Sequence, residues 1–320
     1  MLGSSVVHSN VRHESMSHRK HGRPPKRKVC IYSLDFRDFR EKGFRLLIAP
    51  IKYGSFKITL ADHRLPLSSL TLNTFVQLQP MKISSNKILI TGGASGIGLG
   101  LTERFIKEGN TVIICGRRET QLKEVKAKFP SVIIKQCDLT KEQEREEFFK
   151  WISQNHSDVN VLINNAGIQQ WVSVTDDDFY QRAKEELAIN IDAPLHLTSL
   201  FLKLKSFNTL INVTSGLAFT PLTKTPTYSA SKAYLRSMTL SLRHLLKSKG
   251  IEVIEMIPPA LNTDLGGKGL HDHAPPVSAF IDTVFEQLKQ GRTELTFGFS
   301  EAVLKAGPEE LKNTFAFMNP

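Results

Sequence analysis

Cysteine is scarce in this chain: Cys30, Cys115 and Cys137 are the three among 320 residues. An odd, small number without paired spacing excludes a disulfide framework and supplies no zinc ligand set, so no metal is expected. Unpaired thiols fit a reducing compartment, and the cytoplasm is the expected location. Long apolar runs are missing too. None approaches the roughly 18 residues that a membrane-spanning helix needs, so no membrane span is expected. Acidic residues fall short of basic ones, 31 against 42, for a net charge of +11. That shortage is local: residues 1–80 hold 14 basic and 5 acidic residues, whereas the other 240 hold 28 and 26. A body so near neutrality has no electrostatic footprint for a polyanion, and nucleic acid is not expected as its partner.

What is present falls into two parts. Residues 1–80 contain the run Ser17-His-Arg-Lys-His-Gly-Arg-Pro-Pro-Lys-Arg-Lys28, basic and broken by prolines, which can neither hold a helix nor build a core. A short strand is possible within 44–60. The segment reads as a targeting leader, weakened by Asp35, Asp38 and Glu41; as a basic tail for nucleic acid; or as a dispensable extension, poorly structured, ahead of Met81. Residues 81–320 then form a single domain. At 40% hydrophobic and 23% charged, the chain has enough apolar material for a sizeable core. Short apolar runs at 87–91, 111–115, 132–136, 159–163, 209–213 and 251–257 read as buried strands, with an edge strand at 293–297. Helical patterns at 99–108, 119–129, 141–155, 177–205 and 228–249 separate them. Strands and helices in alternation predict a doubly wound Rossmann fold, a mainly parallel seven-stranded sheet with helices on both faces.

Three local patterns carry chemistry. The turn Thr91-Gly-Gly-Ala-Ser-Gly-Ile-Gly98 joins the first strand to the first helix. Gly92 permits the tight turn, Gly96 the approach of a pyrophosphate, and Gly98 close packing of helix on strand; the helix N-terminus adds free N–H groups. At the end of the second strand the chain reads Cys115-Gly-Arg-Arg118, with no carboxylate to bind a ribose 2′-hydroxyl. Arg117 can instead reach a 2′-phosphate, which favours NADP over NAD, although two arginines also suit a solvated helix turn. Finally, Tyr228 and Lys232 are four residues apart, on one face of a helix, so an ammonium lies near a phenol and favours its ionisation. Ser215 lies thirteen residues upstream, directly after a strand.

In this order and spacing, Thr91 to Gly98, Asn164-Asn-Ala-Gly167, Asn190, Ser215 and Tyr228 with Lys232 resemble the short-chain dehydrogenase/reductase family over about residues 82–300. The stretch Ile257-Pro-Pro-Ala-Leu-Asn-Thr-Asp264 looks most like its DltE-like subgroup. The resemblance implies a nicotinamide-dependent oxidoreductase acting on a small carbonyl or alcohol substrate. Ser215 would hold the substrate oxygen, Tyr228 would exchange the proton, and Lys232 would lower the tyrosine pKa and bind the nicotinamide ribose. The Asn190 carbonyl would hold a water beside Lys232. Ser95, Ile97, Asn165, Pro258 and Thr263 would join the glycines and Arg117 around the cofactor, and Asp138 would meet the adenine, or simply cap the helix that follows. The family also implies a homodimer or homotetramer built through the helices around 180–205 and 228–248. One departure stands out: the family's Pro-Gly after strand six is Pro258-Pro259 here, so the carboxamide must rely on Leu261 and Thr263. Residues 265–276, with three glycines, two prolines and His271-Asp-His273, read as a substrate lid, and Trp171 and Phe219 as pocket or packing aromatics. A catalytically silent nucleotide-sensing protein on the same fold is the alternative, one with no use for an intact Ser215, Tyr228 and Lys232.

Overall fold

The computed structural model describes the backbone of residues 45–50, 56–61 and 69–71 and all of residues 80–320. The chain divides into two units, Met1–Val76 and Gln77–Pro320. Within the first, β1 (Arg45–Pro50), β2 (Phe56–Ala61) and β3 (Ser69–Thr71) form an antiparallel sheet in that order. Two strands thus occupy 44–61 where one was anticipated. The basic run of 17–28 and Cys30 lie outside the described residues.

The second unit begins with β4 (Lys87–Thr91), α1 (Gly96–Lys107), β5 (Thr111–Gly116), α2 (Glu119–Lys128) and β6 (Ile133–Gln136). It continues through α3 (Glu142–Asn155), β7 (Val161–Asn164), α4 (Phe179–Leu187), α5 (Ala193–Phe201), β8 (Thr209–Val213), α6 (Pro226–Leu246) and β9 (Glu252–Ile257). It closes with α7 (Val277–Lys289), β10 (Glu294–Thr296), α8 (Phe299–Lys305) and α9 (Pro308–Met318). The sheet order is β10-β9-β8-β7-β4-β5-β6, and every pairing is parallel.

Side-chain alternation along the strands explains the two helical layers. Ile88, Ile90, Val112 and Ile114 face one side, where they pack with Leu101 and Phe105 of α1 and Phe280, Val284 and Phe285 of α7. Leu89, Ile113 and Cys115 face the other, where Phe148 and Ile152 of α3 and Leu197 and Phe201 of α5 cover them. Both faces being buried, the middles of the central strands are mostly apolar, with Asn164, Asn212 and Glu255 as buried polar exceptions.

The region 177–205, read from sequence as one helical stretch, is interrupted. A π-helical turn, Ala188–Asp192, separates α4 from α5. Pro194 has no N–H to give the Asn190 carbonyl four residues back, so the regular ladder fails there and the turn widens. α6 begins at Pro226, whose fixed φ suits a first helical turn, and ends in a 3-10 turn, Lys247–Lys249, before left-handed Gly250 at φ 74°. The helices α7, α8 and α9 add to those anticipated. Among the described residues no helix is long and apolar enough to cross a membrane.

Candidate active site

From β4 the sheet is built outward in both directions, β5 and β6 to one side and β7 onward to the other. A crevice therefore opens beyond the carboxyl ends of β4 and β7. The glycine turn fills its floor. Gly92 sits at φ +65°, a left-handed conformation that other residues resist. At Gly98 a Cβ would collide with the Gly92 carbonyl oxygen and the Asn165 amide, so the helix can lie this close to the strand only with glycine. Ser95 is exposed at the start of α1 with no side-chain cap bond. Ile97 packs against the core, and a Cβ on Gly96 would lie 3.4 Å from Thr263 Cγ2, which places Thr263 beside the turn. α1 starts at Gly96 within this turn, and the free N–H groups of a helix N-terminus suit a pyrophosphate. Asn165 closes the floor: its Nδ2 donates to the Thr91 carbonyl at 2.8 Å, while Thr91 Oγ1 accepts from Asn165 and Ala166 N–H at 2.9 and 3.0 Å. Its neighbour Asn164 donates to Asn212 Oδ1 at 2.9 Å inside the sheet.

Beyond β5, nothing stands within 4 Å of where a Gly116 Cβ would be, and Arg117 and Arg118 are exposed. The residues present fit a phosphorylated ribose: open space, two guanidiniums and no carboxylate at the strand end. Asp138 is partly engaged as a cap, its Oδ1 accepting from Thr140 N–H at 3.1 Å and the Thr140 hydroxyl at 2.8 Å.

On the opposite side of the crevice, Ser215 (at the end of β8) and Tyr228 and Lys232 (on α6) are all buried. Ser215 Oγ accepts from Leu217 N–H at 3.1 Å, capping the 3-10 turn Gly216–Ala218, and its hydroxyl favours ionisation of the Tyr228 phenol. Lys232 Nζ donates to the Val213 carbonyl at 2.9 Å and lies 5.5 Å from the Tyr228 ring centroid. Asn190 joins them through its side chain: Nδ2 donates to the Ile168 carbonyl at 2.9 Å and to Ser231 Oγ at 3.1 Å, and Oδ1 accepts from Ile168 N–H at 3.0 Å. All four expected residues meet in one place.

The electrostatics differ from the sequence expectation in one respect. Burial pushes the Tyr228 phenol up; the Ser215 hydroxyl pulls part of that back, and Glu186 adds to the rise. Lys232 does not lower it here, because burial pushes the ammonium itself down, to about 8, with Glu186 pulling in the opposite direction. The free pocket therefore holds a protonated phenol. Glu186, four residues before Asn190 and fully enclosed, is the charged group sequence reasoning passed over.

Residues 265–276, read from sequence as a lid, run as successive turns. A Cβ on Gly266 would lie 2.9 Å from Trp171 Nε1 and 3.1 Å from Gln169 Oε1, so this loop is seated on Trp171. Phe219 instead packs under the Arg236 guanidinium, 4.1 Å from its ring centroid. Pro258 contributes its carbonyl to Gly216 N–H at 3.0 Å, tying the loop after β9 to the turn that holds Ser215.

The family model for short chain dehydrogenase matches residues 86–273. Over 253 residues, covering 75% of this chain and 98% of the relative, the sequence is 39% identical to the uncharacterized oxidoreductase DltE of Bacillus subtilis (strain 168). It is 30% identical over 186 residues to serine 3-dehydrogenase of Agrobacterium fabrum (strain C58 / ATCC 33970), covering 56% of this chain and 74% of that protein. A solved short chain dehydrogenase from Burkholderia cenocepacia J2315, in complex with NADP, aligns with a TM-score of 0.66 at 24% identity, over 74% of this chain and 99% of that one. That likeness is one of fold.

Proposed function

Since the chain belongs to the short-chain dehydrogenase family of oxidoreductases, we propose that it transfers a hydride between NADP, in preference to NAD, and a carbonyl or secondary alcohol substrate, with Tyr228 as the general acid or base. The observation that carries the proposal is the convergence of buried Ser215, Tyr228, Lys232 and Asn190 across the crevice from the glycine turn. Gly92, Gly96, Gly98 and the start of α1 would hold the cofactor by its pyrophosphate, and its nicotinamide would supply or accept the hydride. The remaining work belongs to the chain. Ser215 donates to the substrate oxygen and stabilises its developing negative charge. Tyr228 delivers the proton to the same oxygen in reduction, or takes it in oxidation. Its raised pKa keeps it protonated in the free pocket, which suits the reductive direction. Lys232, anchored on Val213, offers its ammonium to the ribose hydroxyls and to the phenol. Arg117 and the empty space at Gly116 favour a 2′-phosphate, and the Burkholderia relative's complex with NADP supports that preference. A silent nucleotide-binding protein would have no use for the enclosed Ser215, Tyr228 and Lys232.

The test is NADPH oxidation by the full chain with a panel of aldehydes and ketones, read by nicotinamide absorbance. Tyr228→Phe is expected to lower turnover by about 10²–10⁴-fold and to leave NADPH affinity nearly unchanged. Turnover that survives the substitution removes the acid–base role from Tyr228.

A further inference from the structure

α4 carries a carboxylate that the proposed chemistry leaves without a task. Glu186 is 1% exposed. Its Oε1 accepts from Gln170 N–H at 2.9 Å, whereas its Oε2 is enclosed and has no hydrogen-bond partner. An acid placed this way is costly to the fold, since a buried oxygen without a partner has lost its water and gained nothing. Glutamine would serve Gln170 equally well. The reason for a carboxylate must lie in its charge.

The surroundings say which charge it answers. Glu186 stands one helical turn before Asn190, and α4 packs on α6. The loop after β7 laces the three groups together. Gln170 bonds Glu186, Ile168 bonds the Asn190 amide, and a Cβ on Gly167 would lie 3.5 Å from Lys232 Nζ. Asn190 also donates to Ser231, the neighbour of Lys232 on α6. Three titratable or charged groups act on this region: Arg182 from α4, and Lys232 and Tyr228 from α6. Arg182 is already engaged, donating to Gln170 Oε1 and the Trp171 carbonyl at 2.9 Å each and lying 3.9 and 3.8 Å from Asp176 and Asp178. Lys232 forms no ion pair among the described residues; its ammonium rests on a neutral carbonyl.

We infer that Glu186 is a positioning residue for the proton-transfer centre: its buried carboxylate is the counter-charge that keeps Lys232 an ammonium and, by the same field, adds to the burial that holds the Tyr228 phenol protonated. The inference deepens the reading of Tyr228 and Lys232 proposed above and rests on it. The electrostatics agree in sign. Burial raises Glu186 to about 7, with the Gln170 N–H, Arg182 and Lys232 opposing; burial lowers Lys232 to about 8, with Glu186 opposing. As pH rises, Glu186 ionises before Lys232 loses its proton, so both are charged between about 7 and about 8. The two titrate as a coupled pair.

The test reads Lys232 directly in the full chain. Lysines carry ¹³C at Cε, and the Lys232 signal is assigned by its loss in Lys232→Met. Glu186→Gln keeps the acceptor for Gln170 and is expected to move the Lys232 titration midpoint down by about one pH unit, tenfold in the equilibrium. The reciprocal measurement does not depend on that variant folding: with ¹³C-carboxyl glutamate, Lys232→Met should raise the Glu186 midpoint by a comparable amount. In NADPH-linked turnover, kcat/KM for the cofactor should fall on the alkaline side at a lower pH in Glu186→Gln than in the wild type. Midpoints of Lys232 and Glu186 that ignore each other's removal overturn the inference, even where Tyr228-dependent turnover is intact. Absence of Tyr228-dependent turnover overturns the acid–base reading instead and leaves the NMR midpoints to decide the pairing.

Discussion

At the end of β5 the chain combines an absence with a presence. Gly116 leaves open space where a ribose-binding carboxylate would stand, and Arg117 beside it is exposed and free to turn into that space. A charge-assisted hydrogen bond contributes about 1.5–3 kcal/mol, roughly tenfold or more in affinity. Arg117→Ala is therefore expected to weaken NADPH binding by at least about tenfold and to leave NADH within about twofold, measured by nicotinamide fluorescence titration. Equal losses for the two cofactors would remove the 2′-phosphate from the account of Arg117. Single residues were unevenly legible in the sequence. Ser215, Tyr228 and Lys232 were readable because their spacings are fixed by one strand end and one helix, and the structure brings them together. Glu186 was not. In Lys184-Glu-Glu186 the acids look like a solvated helix face. Which of them turns inward depends on the phase of α4 against α6, and composition does not carry that phase.

The β4–α1 turn was the most legible element, because glycine is demanded there by geometry and not only by flexibility. At Gly98 a methyl group would meet both the Gly92 carbonyl oxygen and Asn165 Nδ2, and neither can retreat: Asn165 is bonded to the Thr91 carbonyl, and Gly92 N–H is bonded to the Cys115 carbonyl at 2.9 Å. Overpacking of this kind costs about 1–3 kcal/mol when the backbone must shift. Gly98→Ala should lower stability by about that amount in urea unfolding, and should weaken NADPH binding by more than tenfold, because the shift moves the α1 N–H groups away from the pyrophosphate. A variant with wild-type affinity would mean that the turn does not hold the phosphates. Other elements resisted reading. The π turn at Ala188–Asp192 has no compositional mark apart from Pro194, which alone is compatible with an ordinary kink. α7 does carry a helical spacing, with Phe280, Ile281, Val284, Phe285 and Leu288 all buried, yet it follows the proline- and glycine-rich stretch 265–276 that draws attention to a loop.

For the whole molecule, the decisive quantity is where charge and chemistry are placed along the chain. Residues 1–80 carry most of the net positive charge, while every group of the candidate site belongs to the unit Gln77–Pro320. That unit is closed near its beginning: Met81 N–H donates to Glu252 Oε2 at 2.7 Å, and the Met81 side chain is part of the core. We propose that the unit also assembles as a dimer or tetramer through α4 and α6, where Tyr180, Tyr234, Leu240 and Leu245 are exposed. A chain beginning at Gln77 keeps every site residue described above and is expected to bind NADPH and turn over carbonyl substrate within about twofold of the full chain. It should also sediment at the same multiple of its own mass. Loss of turnover with cofactor binding intact would place part of the substrate site in residues 1–76, and a fall to the mass of a single chain would place the assembly surface there instead of on α4 and α6.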